Sequence, residues 1–148
     1  MVGDGPYRNE LEAEVQKYNL QGRVVFAGMA APSQVADYYR ASDVFVSVSQ
    51  SETQGLTYLE AMFSGLPLLC RKDDCLDGVL RPAEYGFFYQ NAEAFSSALQ
   101  RLSPAARIQM GTAGKALVQT QFTETGFAQS VLQVYLRCLR VMVKGFAA

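Results

Sequence analysis

Residues 44–70 read VFVSVSQSETQGLTYLEAMFSGLPLLC. Val44–Ser49 is a β-branched, apolar run of strand length, and the polar stretch Gln50–Gln54 breaks it. Gly55 then opens a helix from Leu56 to Ser64, which Gly65 stops, and Leu66–Cys70 is a second apolar strand. A strand, a helix and a second strand without polar alternation belong to a parallel sheet whose two faces are both covered.

The pattern extends in both directions. Val24–Gly28 is a short apolar run ended by glycine and reads as a buried strand; Ser33 is placed to N-cap a helix through Arg40. Ahead of these, a helix follows Gly5-Pro6, with Pro6 suited to the first helical position, and runs to about Asn19-Leu20. Downstream, Gly86–Tyr89 reads as a weaker strand, and helices span Glu93–Leu102, Pro104–Gln121 and Thr123 to about Lys144. The expectation is one α/β domain over residues 1–148, with a core at 1–102 and C-terminal helices at 103–148. Val2 resembles the last residue of a strand whose body lies upstream, because Gly3-Asp4-Gly5-Pro6 is a strand-to-helix turn. A fragment of a longer chain is therefore expected.

Composition narrows the chemistry. The 148 residues are 49% hydrophobic and 18% charged, enough for a packed core. A net charge of −1 lacks the basic footprint of a nucleic-acid binder. With no histidine, Ser-His-Asp and Cys-His nucleophile systems and HExxH zinc sites are excluded. Cys70, Cys75 and Cys138 form no CxxC pair and read as reduced thiols in a cytosolic protein. No apolar run reaches membrane-span length, and the N-terminus lacks the features of a signal peptide. Charge is uneven: residues 1–100 carry seven Lys/Arg and thirteen Asp/Glu, residues 101–148 six and one.

Three motifs invite chemistry. Gly3-Asp4-Gly5 would need a further glycine at position 8 for a dinucleotide fingerprint, and Arg8 stands there, so a tight turn is the reading. Asp73-Asp74-Cys75-Leu76-Asp77 spells DDxxD, but the magnesium-diphosphate enzymes that use it are all-helical and need a second acidic cluster; a solvated loop or helix start is expected. The third, Ser51–Met62, is different in kind. Gly55 opens a helix at the carboxyl end of a strand, where open α/β sheets bind ligands. The first-turn amides of Gly55, Leu56 and Thr57 at the positive end of the helix dipole suit a phosphate or diphosphate. The helix is apolar almost all round, so it is expected to be buried, with Glu60 in a low-dielectric wall where a carboxylate demands donors. The sugar hydroxyls of a bound nucleotide would satisfy Glu60, and Glu52, on the loop before the helix, could meet a second polyol; equally, Glu60 could bond a backbone amide or arginine, with Glu52 a plain surface acid.

The spacing Glu52-x7-Glu60 within SETQGLTYLEAMFSGLP resembles the Glu-x7-Glu signature of glycosyltransferase family 4, retaining enzymes of the GT-B fold. The likeness covers the whole chain: Val2–Pro6 resembles the family's VGDGP turn, Val24–Gly28 its V-x-F-x-G strand and Ala41–Val46 its A-x-D-V-F-V segment. Tyr85-Gly86 matches its late turn, and Arg107–Tyr135 its closing helices. The resemblance implies a Rossmann-like parallel sheet with helices on both faces, half of a GT-B fold. Glu60 would then bond the ribose hydroxyls of a nucleotide-sugar donor, and Gly55, Leu56 and Thr57 its diphosphate. Glu52 would contact the transferred hexose near the reacting centre, and Gly28 and Met29 would lie against the nucleobase. No metal and no further cofactor are implied.

Two family features are absent: the upstream Arg and Lys for the diphosphate, and the N-terminal domain that binds the acceptor. Alone, the fragment is expected to turn over little or nothing. Gly65–Val79 most resembles the branch that glucosylates diacylglycerol in Gram-positive bacteria, which implies UDP-glucose as donor. In Thr123–Lys144, apolar residues at helical spacing are flanked by Arg137, Arg140 and Lys144. That helix either packs on protein or rests peripherally on the inner face of a membrane. Two rival readings stand beside the transferase: a nucleotide-binding Rossmann-like module without transfer activity, and a non-catalytic interaction domain.

Overall fold

The computed structural model describes residues 1–49, 55–72, 76 and 81–145, with side chains as far as Leu139. The chain divides into two compact units, Met1–Ala41 and Ser42–Ala148.

The first unit contains helices α1 (Arg8–Lys17) and α2 (Pro32–Arg40). The Gly3–Pro6 segment is a turn, as its composition suggests: the Gly5 amide donates to Asp4 Oδ1 at 2.8 Å, and the Arg8 amide to the Gly5 carbonyl at 3.1 Å. That turn delays α1, whose first residue is Arg8 rather than Pro6. Ser33 does not cap α2. The N-cap is Ala31, whose amide donates to the Gln34 side chain at 3.3 Å, and Ser33 lies inside the helix. The strand expected at Val24–Gly28 reduces to a single bridge between Gly28 and Val2. Val24 and Phe26 are half-buried while Val25 and Ala27 are exposed, so one side of the run is bare. A strand paired only to Met1–Gly3 has too few neighbours to extend a ladder.

The second unit is built on a three-stranded parallel sheet, β1 (Phe45–Ser47), β2 (Leu68–Arg71) and β3 (Gly86–Tyr89), in that spatial order. Four helices accompany it: α3 (Leu56–Phe63), α4 (Ala92–Arg101), α5 (Pro104–Gln121) and α6 (Glu124–Gly145). Register assigns the two faces. Phe45 pairs with Leu68 and Ser47 with Cys70, so these four point to one side, where the Tyr58 ring of α3 meets Phe45 edge-on at 5.8 Å. Leu69, Phe87 and Tyr89 point to the other side, where they cluster with Ala98 of α4, Leu102 and Met110. The sheet is therefore covered on both faces, as its apolar strands demand. Leu68, Leu69 and Cys70 of β2 are fully buried, whereas Val46 of β1 is 47% exposed.

The helices after residue 103 do not stand apart as a group. Met110, Gly114, Leu117 and Val118 line the buried side of α5, which packs on α3. The approach is close enough that a Cβ at Gly111 would lie 1.9 Å from the Gly65 carbonyl oxygen, whereas one at Gly114 would meet the Met62 side chain at 3.4 Å. Gly111→Ala is therefore expected to cost about 2 kcal/mol or more in urea unfolding, since the backbone must move. Gly114→Ala, which gains helix propensity and meets only a flexible side chain, should stay within about 1 kcal/mol of the parent. Equal midpoints for the two variants would contradict this account of the contact.

Candidate functional site

All three strands are parallel, so their carboxyl ends meet at one edge of the second unit: Ser47 on β1, Arg71 on β2 and Tyr89 on β3. The first turn of α3 is tied to this edge. Gly55, its N-cap, is buried at φ +61, a left-handed conformation that glycine adopts without steric cost. The amides of Tyr58 (3.0 Å) and Leu59 (3.4 Å) donate to the Gly55 carbonyl, so the helix's own ladder begins at Tyr58. Gly55 itself offers no capping side chain to this N-terminus. The positive end of the dipole is thus presented at the carboxyl edge of a parallel sheet, the arrangement that favours an anion.

Glu60 sits one turn further along and is exposed, not buried. The expectation of a helix covered all round fails because α3 has only two covered sides. Tyr58 faces the sheet, and Met62 lies beside Gly114 of α5. Leu56 (59% exposed), Glu60 and Phe63 (53%) share the remaining stripe at i, i+4 and i+7 and face solvent. The Lys115 ammonium lies 5.9 Å from the Phe63 ring centroid on that stripe.

Gly55, Leu56, Thr57 and Glu60 are thus gathered on one short helix. Gly28 and Met29 belong to the other unit: Gly28, at φ +71, accepts from the Gly3 amide at 2.8 Å, and Met29 is 76% exposed. Glu52 and the acidic run Asp73, Asp74 and Asp77 lie outside the described residues. Among the described residues there is no group of three acidic, cysteine or histidine side chains that could hold a metal ion. A cavity walled by the Gly3–Arg8 turn, Leu11 and Phe26 occupies the first unit and includes none of the expected contact residues.

Sequence reasoning passed over a hydroxyl cluster at the sheet edge. Ser47 Oγ lies 3.1 Å from the Tyr58 hydroxyl and accepts from the Ser49 amide at 3.2 Å. The Tyr89 hydroxyl donates to the Ser47 carbonyl at 3.1 Å. The signal was present as a serine in an apolar strand and a tyrosine on the covered side of a helix, both of which need partners when buried. Burial, and then the neighbouring Cys70, push the Tyr89 hydroxyl above its ordinary range against the pull of Arg71.

The family can now be stated. The chain belongs to the group 1 glycosyl transferases, whose family model matches residues 1–115. It is 41% identical over 99 residues to the alpha-monoglucosyldiacylglycerol synthase of Streptococcus pneumoniae, a match that covers 67% of this chain and 22% of that protein. Sucrose-phosphate synthase from Thermosynechococcus elongatus superposes with a TM-score of 0.81 at 32% identity, over 95% of this chain and 38% of that one. The HepE protein of Anabaena, solved with UDP and glucose, superposes at 0.79 with 20% identity, over 92% of this chain and 39% of that one. The architecture is that of the GT-B glycosyltransferases, and the chain spans well under half the length of each of these relatives.

Tyr89 supplies a test of the edge cluster. Its raised pKa means the folded chain holds that proton more tightly than the unfolded chain. The associated stability is complete below the ordinary tyrosine value of about 10 and is lost as pH climbs through the folded value. Tyr89→Phe should remove one late step from the 295 nm absorbance titration and flatten the loss of stability in alkali. Loss of a step at the ordinary tyrosine value instead of a late one would place the Tyr89 hydroxyl in solvent.

Proposed function

We propose that this chain is the donor-binding part of a retaining glycosyltransferase that transfers a hexose, glucose from UDP-glucose, to a lipid or glycan acceptor. The observation that carries the reading is the first turn of α3, opened by left-handed Gly55 and held at the carboxyl edge of a parallel sheet. A diphosphate there would accept from the backbone amides of Gly55, Leu56 and Thr57, at about 1.5–3 kcal/mol for each charge-assisted bond. Helix dipole and basic side chains then offset the charge of the leaving diphosphate, so no metal or other cofactor is needed. The solvent-facing position of Glu60 supports its role better than burial would: its carboxylate is accessible to ribose hydroxyls. Glu52 is assigned to the transferred hexose near the reacting centre, and Gly28 and Met29 to the nucleobase. UDP as the nucleotide is supported by the HepE structure, and glucose and a lipid acceptor by the name of the pneumococcal relative.

An acceptor-binding domain N-terminal to this region completes the enzyme in this reading. Contact with the inner face of a membrane is peripheral. No helix among the described residues is long and apolar enough to cross a bilayer, whereas Phe127, Leu132, Tyr135 and Leu139 are exposed on α6 near Arg137. Nucleic acid is not a partner.

Amide NMR titration of this chain with UDP, using ADP and GDP as controls, should shift Gly55–Thr57, Glu60 and Gly28–Met29, and UDP most strongly. Glu60→Ala should weaken UDP binding about tenfold or more, because a charge-assisted bond is lost; equal dissociation constants would remove the ribose role. With the acceptor domain in place, Glu52→Ala should abolish sugar transfer, and full activity in that variant would take Glu52 out of the mechanism.

A further inference from the structure

The loop between β1 and α3 has its two stems joined by side chains. Tyr58, in the first turn of α3 and only 1% exposed, is held at three points. Its amide donates to the Gly55 carbonyl, its ring meets Phe45 edge-on with an interplanar angle of 84°, and its hydroxyl pairs with Ser47 Oγ across eleven residues of sequence. Ser47 is anchored in turn. It lies in register with Cys70 of β2, and its carbonyl accepts from Tyr89, which reaches across from β3. One residue at the end of an edge strand is therefore tied to the helix and to the far strand of the sheet.

The link matters because α3 is an eight-residue helix with one bare side. Packing of Tyr58, Ala61 and Met62 keeps the helix on the sheet and against α5, without a directional bond that fixes its rotation about its own axis. The hydroxyl pair opposes that rotation directly and sets the direction in which the first-turn amides point. A hydrogen bond to a fixed anion weakens steeply once its angle departs from linearity, so the orientation of this turn decides how well it receives phosphate oxygens.

We propose that Tyr58, Ser47 and Tyr89 form a positioning set that orients the first turn of α3 toward the diphosphate of the donor. The proposal rests on the donor-site reading above and goes beyond it by assigning three residues that touch no ligand. Because the first-turn amides would receive the diphosphate directly, whereas Glu60 on the same helix would reach the ribose through a side chain that can readjust, the set makes a differential prediction.

The test measures inhibition constants for UDP and UMP in the full-length transferase, for the parent and for Tyr58→Phe, Ser47→Ala and Ser47→Thr. Tyr58→Phe and Ser47→Ala should raise the UDP constant about three- to tenfold, the worth of one neutral hydrogen bond, and leave the UMP constant within about twofold. Ser47→Thr, which keeps the hydroxyl on a strand-favouring residue, should restore the parent value. Thermal melts of each variant confirm that it is folded. UDP constants equal to the parent's, or parallel losses for UDP and UMP, would overturn the positioning set while leaving the donor site standing. A parent enzyme that UDP does not inhibit would instead overturn the donor-site reading, and the positioning set with it.

Discussion

Everything in the second unit follows from the demands of β2. Leu68, Leu69 and Cys70 are paired with parallel neighbours on both edges and have no solvent exposure. A strand buried in this way must have both faces covered by other elements, because apolar side chains alternate to either side. Tyr58 and its helix meet one face; Ala98, Leu102 and Met110 meet the other. Parallel pairing also brings the carboxyl ends of all three strands to one edge, so the place for a ligand is a consequence of how the core is satisfied.

That edge divides the labour between backbone and side chains. The backbone presents the turn that Gly55 opens, and side-chain hydroxyls join Tyr58 of that turn to Ser47 and Ser47 to Tyr89. Glu60 sits on the exposed stripe of α3.

Legibility varied with the kind of signal. β3 and α5 begin and end at the residues the sequence indicates, because Gly86 and the Ser103-Pro104 pair mark boundaries by local chemistry; the Ser103 side chain accepts from the Ala106 amide as an N-cap. Val24–Gly28 was misread because a strand is defined by its neighbours, and an apolar run says nothing about how many it will find. Glu60 was misplaced for a related reason. The composition of α3 is apolar on every side, yet which residues are covered depends on where α5 and the sheet lie. The gathering of Gly55, Leu56, Thr57 and Glu60 on one helix was readable from spacing. The Ser47–Tyr58–Tyr89 cluster was not, since its members come from three elements whose proximity only strand order and register determine.

From Phe127 to Leu139 every side chain of α6 is exposed, although the helix runs for 22 residues. With little side-chain packing over that stretch, its helical order rests largely on local backbone bonds, whose ends fray. The core, by contrast, opens only when β2 loses its neighbours. Amide hydrogens of α6 therefore exchange with solvent through local helix–coil fluctuations, on a timescale separate from global unfolding. The chain carries two stabilities, and a single melting temperature describes only the one that belongs to the sheet.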